Sequence, residues 1–167
     1  MEISLRPWTL EDIPNLIVLG DNPKIAQYMT DQFPHPYTVE KAKAFIGFAT
    51  SGTPNHILAI DLAGQAVGGI GIHQQPDIHC KNAELGYWLG EPYWGQGIMT
   101  QAIGKMVEYG FANWEVTRIF ARPFGTNIGS QKALEKAGFI LEGRFEKTLF
   151  KNGVFLDELI YAIRRTS

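Results

Sequence analysis

The run Trp94-Gly95-Gln96-Gly97-Ile98-Met99-Thr100 places two glycines just ahead of a segment with helical spacing. Glycine lets backbone come close to a ligand, and the first N–H groups of a helix have no partners of their own. Those donors, with the helix dipole, suit a phosphate. The alternative is a plain strand-to-helix turn. No Gly-Lys-Ser/Thr follows, so this is not a Walker loop. Thr100 stands where the third Gly of a dinucleotide fingerprint belongs. Glu84 is a second candidate. It lies mid-strand, where Glu is disfavoured, and a general base is weighed there against a solvated or Arg-paired surface carboxylate. Asn127 and Ser130 lie three residues apart, on one face of a helix start, with Asn127 a natural N-cap. His73, His79 and Cys80 match no common zinc spacing, and no metal is expected.

The elements that must position these residues follow from periodicity. Met1 to Trp8 alternates as a strand. Thr9 caps a helix carrying Ile13, Leu16 and Ile17, and Asn22-Pro23 opens a short one through Met29. Asp31 to Tyr37, with two prolines, is a loop, and Thr38 starts another helix. His56–Asp61 and Ala66–His73 read as strands around a turn at Ala63-Gly64. From Asn82 to Leu89 the chain alternates: Ala83, Leu85, Tyr87 and Leu89 share one face; Glu84, Gly86 and Trp88 share the other. A helix follows the glycine loop, with Ile98, Ala102, Ile103 and Met106 on one side. Thr117–Ala121 is a strand, and Asn127–Lys136 a helix ended by Gly138. Two strands meet at Lys151-Asn152-Gly153, a hairpin signal. The expected fold is α/β (α+β): one domain over residues 1–167, with a mixed, mostly antiparallel central sheet of about seven strands and about four flanking helices.

Composition narrows the function classes. The 167 residues suit one domain. A single cysteine forbids an internal disulfide, and a net charge of −2 gives no basic footprint for nucleic acid. No run approaches a membrane span and the first residues lack a signal-peptide pattern, so a cytoplasmic protein with no membrane partner is expected. Eighteen glycines are an excess, concentrated between Gly64 and Gly97.

Taken together, AELGYWLG, EPYWGQGIMTQA and NIGSQKALEKAGF resemble the GNAT superfamily of acyl-CoA-dependent N-acyltransferases. The opening LRPWTLEDIP and the closing FKNGVFLDELIYAI make the chain most similar to the branch that holds the ribosomal-protein N-terminal acetylases. The resemblance covers nearly the whole chain. It implies acetyl-CoA as co-substrate, with Trp94, Gly95, Gln96, Gly97, Ile98, Met99 and Thr100 around the pyrophosphate. It also implies Tyr87, Trp88 and Leu89 along the pantetheine arm, the Leu89 N–H as an oxyanion donor, and a cofactor contact from Asn127. Met99 replaces a small residue and is expected to narrow the space over the pyrophosphate, and Gln96 replaces a cation. Many relatives carry a tyrosine acid where this chain has Leu134, which leaves Ser130, or a water it holds, as the acid. Glu84 is the implied base. Nothing in this scheme uses Cys80, so acetyl passes directly from CoA to the amine.

The implied acceptor is a primary amine, most naturally a protein N-terminal α-amine. A small-molecule amine (polyamine, aminoglycoside or amino acid) and a non-catalytic acyl-CoA-binding module are the alternatives. The acceptor groove is expected between residues 22–37 and 146–157, with Asp31, Glu146, Asp157 or Glu158 drawing in the amine. A monomer or homodimer is equally compatible. An α-amine of pKa about 7.7–8.0 costs roughly 1 to 1.4 kcal/mol to neutralise at pH 7, against roughly 4.6 for a lysine side chain, so a weak base suits a chain end.

Overall fold

The computed structural model describes residues 1–166. Seven strands form one sheet: β1 (Ser4–Arg6), β2 (Ile57–Leu62), β3 (Gln65–Gln74), β4 (Asn82–Leu89), β5 (Arg118–Ala121), β6 (Ile140–Lys151) and β7 (Val154–Arg164). Their order across the sheet is β1-β2-β3-β4-β5-β7-β6. All neighbours are antiparallel except β4 and β5. That parallel pair needs a crossover, supplied by α4 (Ile98–Asn113).

Two cores lie on opposite faces of the sheet. On one, Ile98, Ala102, Ile103 and Met106 of α4 and Ala133 and Leu134 of α5 (Ile128–Lys136) pack on Ile70, Ile72, Leu85 and Ile119. On the other, α1 (Ile13–Gly20), α2 (Pro23–Ala26) and α3 (Val39–Ala49) bring Leu16, Ile25, Ala42 and Ile46 onto Trp8, Ala59 and Trp88. The opposite burial of Leu85 and Trp88 is the β4 alternation of the sequence. Five α-helices are present where about four flanking helices were expected, and the short one opened by Asn22-Pro23 is the single turn α2. It stops short of Met29, since the N–H groups of Tyr28 and Met29 turn back to Ile25 and Ala26, three residues behind.

Local signals explain the boundaries. Asn22 and Thr38 cap α2 and α3 through their side chains. Asn152 and Gly153 both have positive φ, 52° and 77°, as the tight β6–β7 turn requires. β1 is shorter than its alternation at both ends, and it stops at Arg6 because Pro7 has no N–H to continue the ladder. The three β3 glycines are close-approach positions. A Cβ on Gly68 would collide with the Trp88 carbonyl, and one on Gly69 would lie 2.8 Å from the Trp88 indole nitrogen. On Gly71 it would be 3.2 Å from the His73 ring.

Candidate active site

The site begins where the sheet stops being continuous. β4 pairs with β5 only through Asn82↔Arg118, Ala83↔Ile119 and Glu84↔Phe120. β4 runs on to Leu89, whereas β5 ends at Ala121. A gap therefore opens beside the last residues of β4. Which backbone groups face it follows from the antiparallel alternation. Gly90 donates to the Val67 carbonyl and Gln75 to the Asn82 carbonyl, so even-numbered β4 residues spend their peptide groups on β3. Tyr87 and Leu89 point theirs toward the gap. The Leu89 carbonyl accepts the Trp94 indole N–H at 2.8 Å, which leaves the Tyr87 N–H and C=O and the Leu89 N–H facing the gap. Trp88 was expected to share this role. Its peptide instead faces Gly69 in β3, and its indole is buried in the opposite core.

The glycine loop borders the same end of β4. Gly95 and Gly97 have φ of 74° and 77°, and a Cβ on either would meet nothing within 4 Å. Gly97 is the N-cap of α4, with no capping side chain. The first intrahelical bond runs from Gln101 to the Gly97 carbonyl, which leaves the Ile98, Met99 and Thr100 N–H groups at a bare helix start. Ile98 is buried, and Met99 packs against the α4-side core. Met99 is only partly buried, with its packed side against that core. Gln96 is exposed and donates to the Pro92 carbonyl.

α5 forms the far wall. Asn127 is its N-cap, its side-chain oxygen accepting the Ser130 N–H at 3.3 Å; the amide NH2 is not spent on that cap. Across the gap, the Ser130 Oγ and the Tyr87 hydroxyl share a 2.5 Å hydrogen bond. Burial pushes Tyr87 up to about 12, with the Ser130 bond pulling the other way. Leu134 is fully buried.

The opposite face of β4 carries Glu84, Gly86 and Trp88. A Cβ on Gly86 would meet open space. Glu84 accepts from Arg122 Nε and Nη2, both at 3.2 Å. Its cross-strand neighbour is His73, whose pKa is lowered first by burial and then by His56, with Glu84 opposing. The residues after α2 reach across the gap on this side. Tyr28 packs edge-on to Phe124 and Phe33 edge-on to Trp88, and Asp31 binds Lys151 Nζ at 2.8 Å. Of the carboxylates expected to attract an amine, Asp31 is held by Lys151, and Asp157 by Arg144 and the Lys147 N–H. Glu158 is half-buried, lies opposite Phe124, and has no ion pair among the described residues. Sequence reasoning missed Arg122, the Tyr87 phenol and the Asp31–Lys151 contact. Only Tyr87 had a signal: its odd position in β4 aims it at the face that α5 covers.

No group of three or more potential metal ligands occurs among the described residues, and no described helix is long and apolar enough to cross a membrane.

Three known proteins show what the chain is similar to. The ribosomal-protein-serine acetyltransferase of Escherichia coli is 35% identical over 49% of this chain and 46% of that protein. This chain spans about half the length of several curated relatives that it matches. The microcin C7 self-immunity acetyltransferase MccE, solved with acetyl-CoA and AMP, is 29% identical with a TM-score of 0.82, over 98% of this chain and 93% of that one. The RimL ribosomal L7/L12 α-N-protein acetyltransferase, solved with coenzyme A, shares the fold with a TM-score of 0.84 at 23% identity, over 97% and 93% of the two chains. Residues 2–140, which hold the parted strands, the glycine loop and the α5 wall, match the family model described as an acetyltransferase (GNAT) domain, and the chain belongs to that family.

Proposed function

We propose that the protein transfers acetyl from acetyl-CoA to a primary amine, and that the amine is a protein N-terminal α-amine. The observation that carries this reading is the parting of β4 from β5 beside a bare helix start. The gap offers the Tyr87 and Leu89 peptide groups to an amide-bearing arm, and the α4 N–H groups suit the pyrophosphate. The Leu89 N–H then serves the oxyanion of the tetrahedral intermediate. Asn127 and Trp94 line the same cleft.

The acceptor enters from the Gly86 face. There the Tyr28–Phe33 segment bridges from β4 to the β6–β7 hairpin, which favours a chain end or a small amine over a lysine on a folded surface. Glu158 supplies negative charge on that route. Glu84 acts as base through water. Both its oxygens are engaged by Arg122, so it suits an amine that needs little help, as an α-amine does. Positioning supplies much of the acceleration.

The test is thiol release from acetyl-CoA across N-terminal peptides, polyamines, aminoglycosides and amino acids. Peptides with a free α-amine should be turned over with the highest kcat/KM. Peptides whose only amine is a lysine side chain should be poor. Preference for a small amine would overturn the acceptor assignment. Tight CoA binding without turnover on any amine would overturn the enzymatic reading.

A further inference from the structure

Tyr87 sends its peptide groups into the gap and its side chain across it. Its hydroxyl ends 2.5 Å from Ser130 Oγ, on the first turn of α5. Ser130 is itself fixed from behind, since its N–H is held by Asn127. A serine hydroxyl has one proton to give and lone pairs to accept with. When Oγ accepts from Tyr87, its own proton is directed elsewhere. α5 supplies no phenol of its own one turn further on, because Leu134 occupies that position in the core. A phenol is thus delivered to this wall from the strand opposite.

We propose that Tyr87 is a positioning residue for acetyl transfer that supplies a proton through Ser130 to the leaving sulfur. The proposal rests on the acetyl-CoA reading above. The amine nitrogen attacks the thioester carbon, forming the new C–N bond, and loses one proton through the water beside Glu84 to solvent. As the intermediate collapses, the C–S bond breaks and its electron pair goes to sulfur. The Ser130 O–H proton moves to sulfur, giving the free thiol, and the Tyr87 O–H proton moves to Ser130 Oγ. Tyr87, left as phenolate, recovers a proton from solvent, which balances the one that the amine released. A phenol gives up a proton far more readily than an aliphatic hydroxyl, so the pair is a better acid than Ser130 alone. A phenol is protonated through the neutral range between turnovers, and burial moves Tyr87 further in that direction.

The experiment compares wild type, Tyr87→Phe, Ser130→Ala and the double variant, with acetyl-CoA and a free-α-amine peptide. Tyr87→Phe keeps the ring and its packing. It should lower kcat 10- to 100-fold while KM for acetyl-CoA stays within twofold. Wild type should show a solvent deuterium isotope effect on kcat, and that effect should shrink in the variant. The double variant should be no slower than the slower single variant, as for residues that act as a unit. Wild-type turnover with Tyr87→Phe within twofold of it in kcat would overturn the relay and leave acetyl transfer standing, as would fully additive losses in the double variant. A wild type that releases no thiol with any amine would overturn both. Ser130→Ala removes only a half-exposed hydroxyl, so it reports on the pair even where Tyr87→Phe is poorly folded.

Discussion

Glu84 carries two obligations at once. It is the carboxylate beside the open floor at Gly86, and it holds Arg122 through both oxygens. Arg122 takes one lone-pair site on each oxygen, so a proton must be accepted at one of the remaining sites, directly or through water. We expect Glu84→Gln to lower turnover on an α-amine peptide about tenfold at pH 7, the factor that about 1.4 kcal/mol represents. Acetyl-CoA affinity should change little. An unchanged pH–rate profile in that variant would remove Glu84 as the base. That this glutamate faces the same way as Gly86 and Trp88 is legible in the alternation of AELGYWLG. That Arg122 meets it is not, because Arg122 lies 38 residues away and its approach depends on where β5 pairs. The Tyr87–Ser130 contact is hidden for the same reason: it joins a strand to a helix across 43 residues, and each residue alone has an ordinary local explanation.

At the scale of elements, the glycines of β3 and β4 differ in kind. Gly68 is held against the Trp88 carbonyl, backbone that cannot yield, whereas Gly86 looks onto open space. Gly68→Ala should therefore destabilise the fold by about 1–3 kcal/mol. Gly86→Ala should leave stability within about 0.5 kcal/mol while raising KM for the acceptor. Equal denaturant midpoints for the two variants would contradict this distinction. The start of α4 makes a separate prediction. Gln96 is exposed beside unpartnered N–H groups, so Gln96→Lys adds a cation where the proposed phosphates sit. CoA binding should tighten by roughly 0.3–1 kcal/mol, by analogy with an exposed ion pair, and the gain should fade as salt rises. A gain that persists in high salt would point to another cause. Most of these elements could be read directly. β4 spans Asn82–Leu89, as its alternation predicted, and the Asn-Gly turn joins β6 to β7. β1 and α2 came out shorter, β1 at its far end because Pro7 cannot extend a ladder and α2 because the residues after it tighten into i→i−3 bonds.

At the scale of the whole molecule, the segment after α2 meets the end of β6, the edge strand of the sheet. Lys151 and Asp31, 120 residues apart, form that contact. Asp31 is 86% exposed while Lys151 is only 13% exposed, so the pair is worth less than about 1 kcal/mol to the fold. Its value is in holding the bridge over the proposed acceptor route. Lys151→Ala should raise KM for a peptide acceptor several-fold, leave KM for acetyl-CoA unchanged, and shift the unfolding midpoint only slightly. Equal changes in both KM values would show that the contact serves the whole cleft instead. Nothing in the sequence marks this pair, since both residues read as ordinary surface charge until the two segments are brought together.

The parting of β4 from β5 makes an edge in the middle of a sheet, where edges are normally absent. In native-state hydrogen exchange the strand should divide against itself. The even-numbered amides Trp88 and Gly90, bonded to β3, should be slow, while Tyr87 and Leu89, in between, exchange quickly despite their central position. Coenzyme A should slow the odd set alone, because an arm laid in the gap would take the place of a missing strand. A feature built from absent pairing would scarcely register in an alanine scan, which leaves every peptide group intact. Amide-to-ester replacement at Leu89, which deletes one N–H and no side chain, would expose it.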